Sequence, residues 1–107
     1  MARFLSFWRT NPVAPWPIDP VEYLKLLEKM WAGVDSLLKK AEIKEVGYFP
    51  DGTSGYVISE GDSADVLRRI SMFSRYIQFE VHEIIPYEKS KEIIRAVWKA
   101  QAEAAKK

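Results

Sequence analysis

Gly55-Tyr-Val-Ile-Ser-Glu-Gly-Asp-Ser-Ala-Asp-Val-Leu-Arg-Arg-Ile-Ser-Met-Phe-Ser-Arg-Tyr-Ile-Gln-Phe-Glu-Val-His-Glu-Ile-Ile-Pro-Tyr87 decides the fold. Its closing run, Ile77-Gln78-Phe79-Glu80-Val81-His82, alternates apolar and polar residues at period two, the pattern of a half-buried strand. Ser54 to Glu60 is a second strand-like run. Between the two, Asp62 followed three residues later by Asp65 reads as an N-cap with an acidic first turn. Val66, Leu67, Ile70 and Phe73 give the short helix that follows an apolar face. Strand, helix and strand in so short a span point to one half of a split βαβ unit.

Moving toward the N-terminus, Pro50-Asp51-Gly52-Thr53 is a turn between Ser54–Glu60 and a strand at Ile43–Phe49, which makes a hairpin. Asp19-Pro20 is a helix start, with Asp19 as N-cap and Pro20 at the first helical position. Leu24, Leu27, Trp31, Val34, Leu38 and Ala41 then recur at steps of three and four, an apolar stripe about six turns long. Gly33 interrupts that helix, which reads either as a close approach of a strand or another helix there or as a tolerated defect. The prolines at 12, 15, 17 and 20 stiffen the preceding loop; it reads as a connector, or as a rigid mount that presents Trp16 to a pocket or a neighbouring subunit. Ala2–Arg9 is apolar at both parities and reads as a central strand. Beyond Pro86, Ser90–Lys106 is helical, with Ile93, Ile94, Val97 and Trp98 on one side.

The order is therefore strand, helix, strand, strand, helix, strand, plus a terminal helix. Two right-handed crossovers closing one four-stranded antiparallel sheet give an α+β, ferredoxin-like βαββαβ arrangement with both core helices on one face. Residues 1–86 form the core and 87–107 the terminal helix of a single domain. The strand at Ala2–Arg9 has Phe4 and Trp8 at one parity and Leu5 and Phe7 at the other. The uncovered face is thus too apolar for a monomer, which predicts a homodimer or a higher homo-oligomer formed sheet to sheet. Ile93, Ile94, Val97 and Trp98 likewise call for a cover, on the open side of their own domain or on a second subunit.

With these elements in place, the chain resembles the dimeric α+β barrel superfamily, in particular its muconolactone-isomerase-like branch of small proteins, as an element pattern over nearly its whole length. The local resemblance lies in Gly55 to Pro86, where Gly-Tyr-Val-Ile leads through Asp62-Ser63-Ala64 and a short helix into Phe79-Glu80-Val81. It implies a homo-oligomer and, in those members that are enzymes, a pocket between sheet and helices. No catalytic signature carries over residue by residue.

Composition narrows the chemistry. The 107 residues hold 16 basic and 15 acidic side chains, a net charge of +1, which predicts no long-range attraction to phosphate and no nucleic-acid partner. An RNA-binding reading of this topology fails at Tyr56-Val57-Ile58-Ser59-Glu60, which lacks the basic-aromatic signature. The absence of cysteine excludes a thiolate metal site and a single histidine argues against a zinc site within one chain; a hard, oxygen-ligated metal stays open but has no motif, and no metal or cofactor is expected. No stretch is long and apolar enough for a membrane span or a secretory leader, so the expected location is cytoplasmic. Amides are scarce while Lys and Glu abound, a balance shared with heat-adapted proteins. There is no Gly-x-Ser-x-Gly elbow and no phosphate-cradling glycine loop.

Two functional readings follow. In the first, the protein is an oligomer whose sheet-helix pocket takes a small apolar or aromatic acid, with Trp8, Tyr48 and Tyr56 as pocket residues. Trp31 and Trp98 are further aromatic candidates, and Arg3, Arg68, Arg69 and Arg75 are candidate anion partners. In the second, it is a cofactor-independent isomerase or monooxygenase. There His82 accepts a proton, Glu80, two residues away on the same strand face, orients the imidazole, and Trp8, Tyr48 and Tyr56 shape an aromatic pocket. The same pair also reads as a polar strand face in water or at an interface.

Overall fold

The structure, a computed structural model, describes residues 2–106. Its elements run β1 (Ala2–Thr10), α1 (Pro20–Lys39), β2 (Ile43–Tyr48), β3 (Ser54–Gly61), α2 (Ser63–Ser71), β4 (Ile77–Ile84) and α3 (Tyr87–Ala105). The four strands form one open antiparallel sheet in the order β2-β3-β1-β4. This is the ferredoxin-like arrangement that the element order predicts.

Local chemistry sets the element ends. The Asp19 carboxylate accepts the Glu22 amide at 3.2 Å, with Pro20 opening α1. Asp62 and Asp65 form a reciprocal capping box at α2, each side chain accepting the other's backbone N–H. Asp51 holds the β2–β3 turn by accepting from the Thr53 and Ser54 amides and the Ser54 hydroxyl, and Gly52 supplies the positive φ of 74°. The end of α1 departs from the sequence expectation. Ala41, counted above in the apolar stripe, lies outside the helix at φ 58°, where the Ala41 amide bonds to Leu38 and the Glu42 amide to Leu37. That is a Schellman closure with alanine in the seat glycine favours.

Strand register sorts every side chain to one of two faces. Phe4, Ser6 and Trp8 of β1 sit opposite Ser59, Val57 and Gly55 of β3, and all of them face the helices. A bulge between Ile43 and Glu45 lets both Ile43 and Val46 point to that same face. The buried apolar core is small: Phe4, Trp8, Leu37, Ile43, Val66 and Ile77. The other face carries Leu5, Phe7, Tyr56, Ile58 and Ile84 among Arg3, Arg9, Glu60, Gln78, Glu80 and His82. Among the described residues no element covers it, and Phe7 remains 38% exposed.

α3 adds nothing to the core, since none of its residues is buried. Ile94 is 57% and Trp98 68% exposed, so the helix does not cover the open side of its own domain. The chain is accordingly long and thin, 70 × 29 × 24 Å with a radius of gyration of 19.2 Å, where a compact domain of this length has about 13 Å. A 19-residue helix is about 28 Å long and accounts for the excess length. Among the described residues no helix is long and apolar enough to cross a membrane.

Candidate functional site

A cavity of about 280 Å³ lies between the helix face of the sheet and α1 and α2. It exists because α1 sits loosely: Leu37 is buried, while Leu24, Trp31 and Leu38 of the same stripe stay partly in water. Its aromatic wall comes from three elements. The Trp8 and Tyr48 rings meet edge to face at 4.8 Å and 87°, and the Trp31 indole N–H donates to the Tyr48 hydroxyl at 2.9 Å. These rings converge over Gly55, whose missing side chain leaves room for the Trp8 indole.

Few polar groups face this space: Ser6, Ser59, Arg69 and, from α1, the carboxylate-bearing Asp35. Ser6 and Ser59 are each 3% exposed and lie diagonally across β1 and β3, Ser59 opposite Phe4 and Ser6 opposite Val57. Arg69 of α2 borders the cavity, pinned by hydrogen bonds to the carbonyls of Glu42 and of Glu60, the latter at 3.1 Å. A guanidinium has five N–H groups, so donors remain beyond those two bonds. An adjoining space of about 270 Å³ shares the Trp8, Trp31 and Tyr48 walls and is bordered by Trp16. Trp16 is itself fixed there, donating to the Asn11 carbonyl at 2.7 Å and packing against Tyr23 and Tyr76.

Trp8 and Tyr48 thus meet at the cavity, joined by Trp31. Tyr56 does not: it pairs with Phe7 and points to the open face, where its hydroxyl donates to the Glu45 carboxylate. That bond holds the Tyr56 phenol above its usual pKa. Trp98 stands on α3, away from the core. Of the four candidate arginines only Arg69 borders the cavity; Arg3 pairs with Glu60 at 3.7 Å on the open face, Arg68 with Asp65 at 2.9 Å, and Arg75 lies over the Tyr76 ring.

His82 and Glu80 are adjacent, with imidazole Nε2 3.0 Å from the Glu80 carboxylate. Their side chains are 54% and 71% exposed on the open face, on the opposite side of the sheet from the cavity. Phe7 is the aromatic neighbour of His82, edge-on at 6.0 Å. Ser6 and Ser59 were not singled out from the sequence. The signal was available, since serine at an inward parity of a central strand marks a polar point in an apolar face. Among the described residues no group of three or more His, Cys, Asp or Glu could hold a metal ion. No protein-family model and no curated protein matches this chain.

Proposed function

We propose that this chain is an oligomeric ligand-binding domain whose sheet-helix cavity takes a small aromatic or apolar acid. The observation that carries the reading is the 280 Å³ space walled by Trp8, Trp31 and Tyr48. An apolar cavity of ~150 Å³ accommodates one benzene ring, so this one has room for a ring and a carboxylate. The ring stacks or packs edge-on against the aromatic wall, and the carboxylate takes the remaining donors of Arg69 with the Ser6 and Ser59 hydroxyls. His82 has no part in this site. A proton acceptor needs a substrate held within hydrogen-bond reach, and the open face of one chain offers His82 no enclosed space.

The oligomeric part rests on area. The chain exposes 8049 Å², where a compact monomer of 12.4 kDa exposes roughly 6,100 Å². The excess of about 1,900 Å² is what a chain contributes to a large obligate interface. Leu5, Phe7, Phe49, Tyr56 and Ile58 form the apolar centre of the open face, ringed by Arg3–Glu60, Arg9–Gln78 and Glu80–His82, the apolar middle and polar rim of a sheet-to-sheet contact.

Benzoate, with benzamide as its uncharged counterpart, tests the cavity by tryptophan fluorescence and by amide shifts in NMR. Benzoate is expected to perturb Trp8, Trp31 and Ser59 and to bind more tightly than benzamide, and Val57→Trp, which fills the cavity, is expected to abolish both effects. If neither compound shifts these residues at ~10 mM, an association weaker than about −3 kcal/mol, the binding reading fails.

A further inference from the structure

We infer that β4 pairs with β4 of a second copy, antiparallel about a twofold axis through Val81, to make one continuous eight-stranded sheet. The two edges of the sheet are unlike. β2 carries Lys44 and a bulge, both of which discourage pairing. β4 spans Ile77–Ile84 without proline, lysine or bulge, and among the described residues it has no neighbour on its outer side.

Its outer hydrogen-bonding groups can be assigned. The Asn11 amide donates to the Tyr76 carbonyl at 2.8 Å, continuing a register in which even-numbered β4 residues bond to odd-numbered β1 residues. The amides and carbonyls of Phe79, Val81 and Glu83 therefore point outward, unpaired within the chain. A twofold axis normal to the sheet keeps helix face beside helix face, so each residue meets one of its own parity. Only registers centred on a residue that faces its own copy are allowed.

Charge and length select among them. Centring on Phe79 or His82 shortens the ladder, and centring on Glu80 or Glu83 sets carboxylate against carboxylate. Centring on Val81 pairs Gln78 through Ile84 and brings Glu80 opposite His82 of the second copy, twice by symmetry. With the 3.0 Å contact inside each chain, the two pairs close a ring of alternating acid and imidazole. On the helix face Val81, 38% exposed in the single chain, meets its twin. The contact is distinct from the open-face packing proposed above and does not depend on the ligand reading.

Cysteine placement tests the register in a chain that has none of its own. At position 81 the two Cα atoms lie about 5.5 Å apart, inside disulfide range, whereas residues 80 and 82 lie roughly 8 Å from their own copies. Val81→Cys is expected to oxidise to a covalent dimer, with Glu80→Cys and His82→Cys slower by about tenfold or more. Because Val81 lies on the helix face while Glu80 and His82 lie on the open face, open-face packing alone brings no pair of thiols at position 81 together. Val81→Pro removes no hydrogen bond within the chain and is expected to halve the mass measured by light scattering at unchanged circular dichroism. Equal or faster cross-linking at 80 or 82, no cross-linking at 81, or an unchanged mass for Val81→Pro overturns the inference.

Discussion

Gly55→Ala tests whether the aromatic wall is built on an absent side chain. Gly55 lies between Trp8 on β1 and Tyr48 on β2, and a Cβ there would come within 2.6 Å of the Trp8 indole carbons and collide with the Gly47 carbonyl oxygen. The indole can turn only by breaking its edge-on contact with Tyr48 and closing the cavity, while the carbonyl is fixed by the strand ladder. Overpacking of this kind costs about 1–3 kcal/mol, and a fixed backbone atom argues for the upper end. Lost chain entropy of the unfolded state returns about 0.4–1 kcal/mol, leaving a net loss of about 2 kcal/mol. For a domain of this size that lowers the melting temperature by roughly 8–16 °C. Urea unfolding followed by near-ultraviolet circular dichroism reads both the stability and the Trp8 environment. Trp8→Phe in the Gly55→Ala background should recover part of the loss, a coupling that places the clash at the indole. A Gly55→Ala variant within about 0.5 kcal/mol of the parent, with its aromatic spectrum unchanged, would refute the packing described here.

The other perturbations are simpler. Gly33→Ala should stabilise by about 0.5–1 kcal/mol in urea, because the nearest atom to its new Cβ, on the Phe73 ring, is 3.4 Å away, ordinary contact at a helix interior; a loss would mean the ring cannot give. Ala41→Gly should raise stability by about 1 kcal/mol by relieving the left-handed backbone at φ 58°, and an unchanged melting temperature would argue against that conformation. Asp51 is held below the usual carboxylate range chiefly by the Thr53 amide, and Asp65 chiefly by the Arg68 guanidinium. A folded pKa below the unfolded one gives stability that is present above about pH 4 and lost as pH falls through the folded value, so the urea midpoint should drop below pH 4 and the Asp51→Asn, Asp65→Asn double variant should flatten that dependence. Truncation after Tyr87 removes no buried side chain of α3, so the core should keep its spectrum while the mass in light scattering falls by more than the deleted residues; an unchanged assembly would show that the helix holds no subunits together.

Much of the fold was legible because its signals are local. The alternation in Ile77–His82, the Pro50–Thr53 turn, Asp19-Pro20 and the Asp62–Asp65 spacing each act within a few residues, and each appears as a strand, turn or cap. The start of α3 was shifted only from Ser90 to Tyr87, since a helix can begin directly after Pro86. What stayed hidden was relative. Alternation shows that Glu80 and His82 share a face, but which face the helices cover depends on register across strands. β1 gives no clue, being apolar at both parities. The same ambiguity grouped Tyr56 with Trp8, whereas the pairing of Trp8 with Gly55 turns Tyr56 the other way. The looseness of α1 was equally invisible, because an apolar stripe states what a helix offers and not how closely the sheet accepts it.

β1 links the two surfaces on which the functional readings rest. Phe4, Ser6 and Trp8 floor the cavity side while Leu5 and Phe7, one residue away in each direction, form the centre of the open face. A partner on the open face would fix the backbone of β1 and β3 from beneath, and with it the separation of Trp8 from Tyr48 that keeps the cavity open. Ligand affinity and assembly should therefore be linked through that strand, each strengthening the other, because an occupied cavity and a covered face both disfavour the same distortion of the sheet. The linkage has a direct reading: benzoate should shift the subunit equilibrium of the parent chain toward assembly. With Val57→Trp, which blocks the cavity without touching the open face, it should have no such effect.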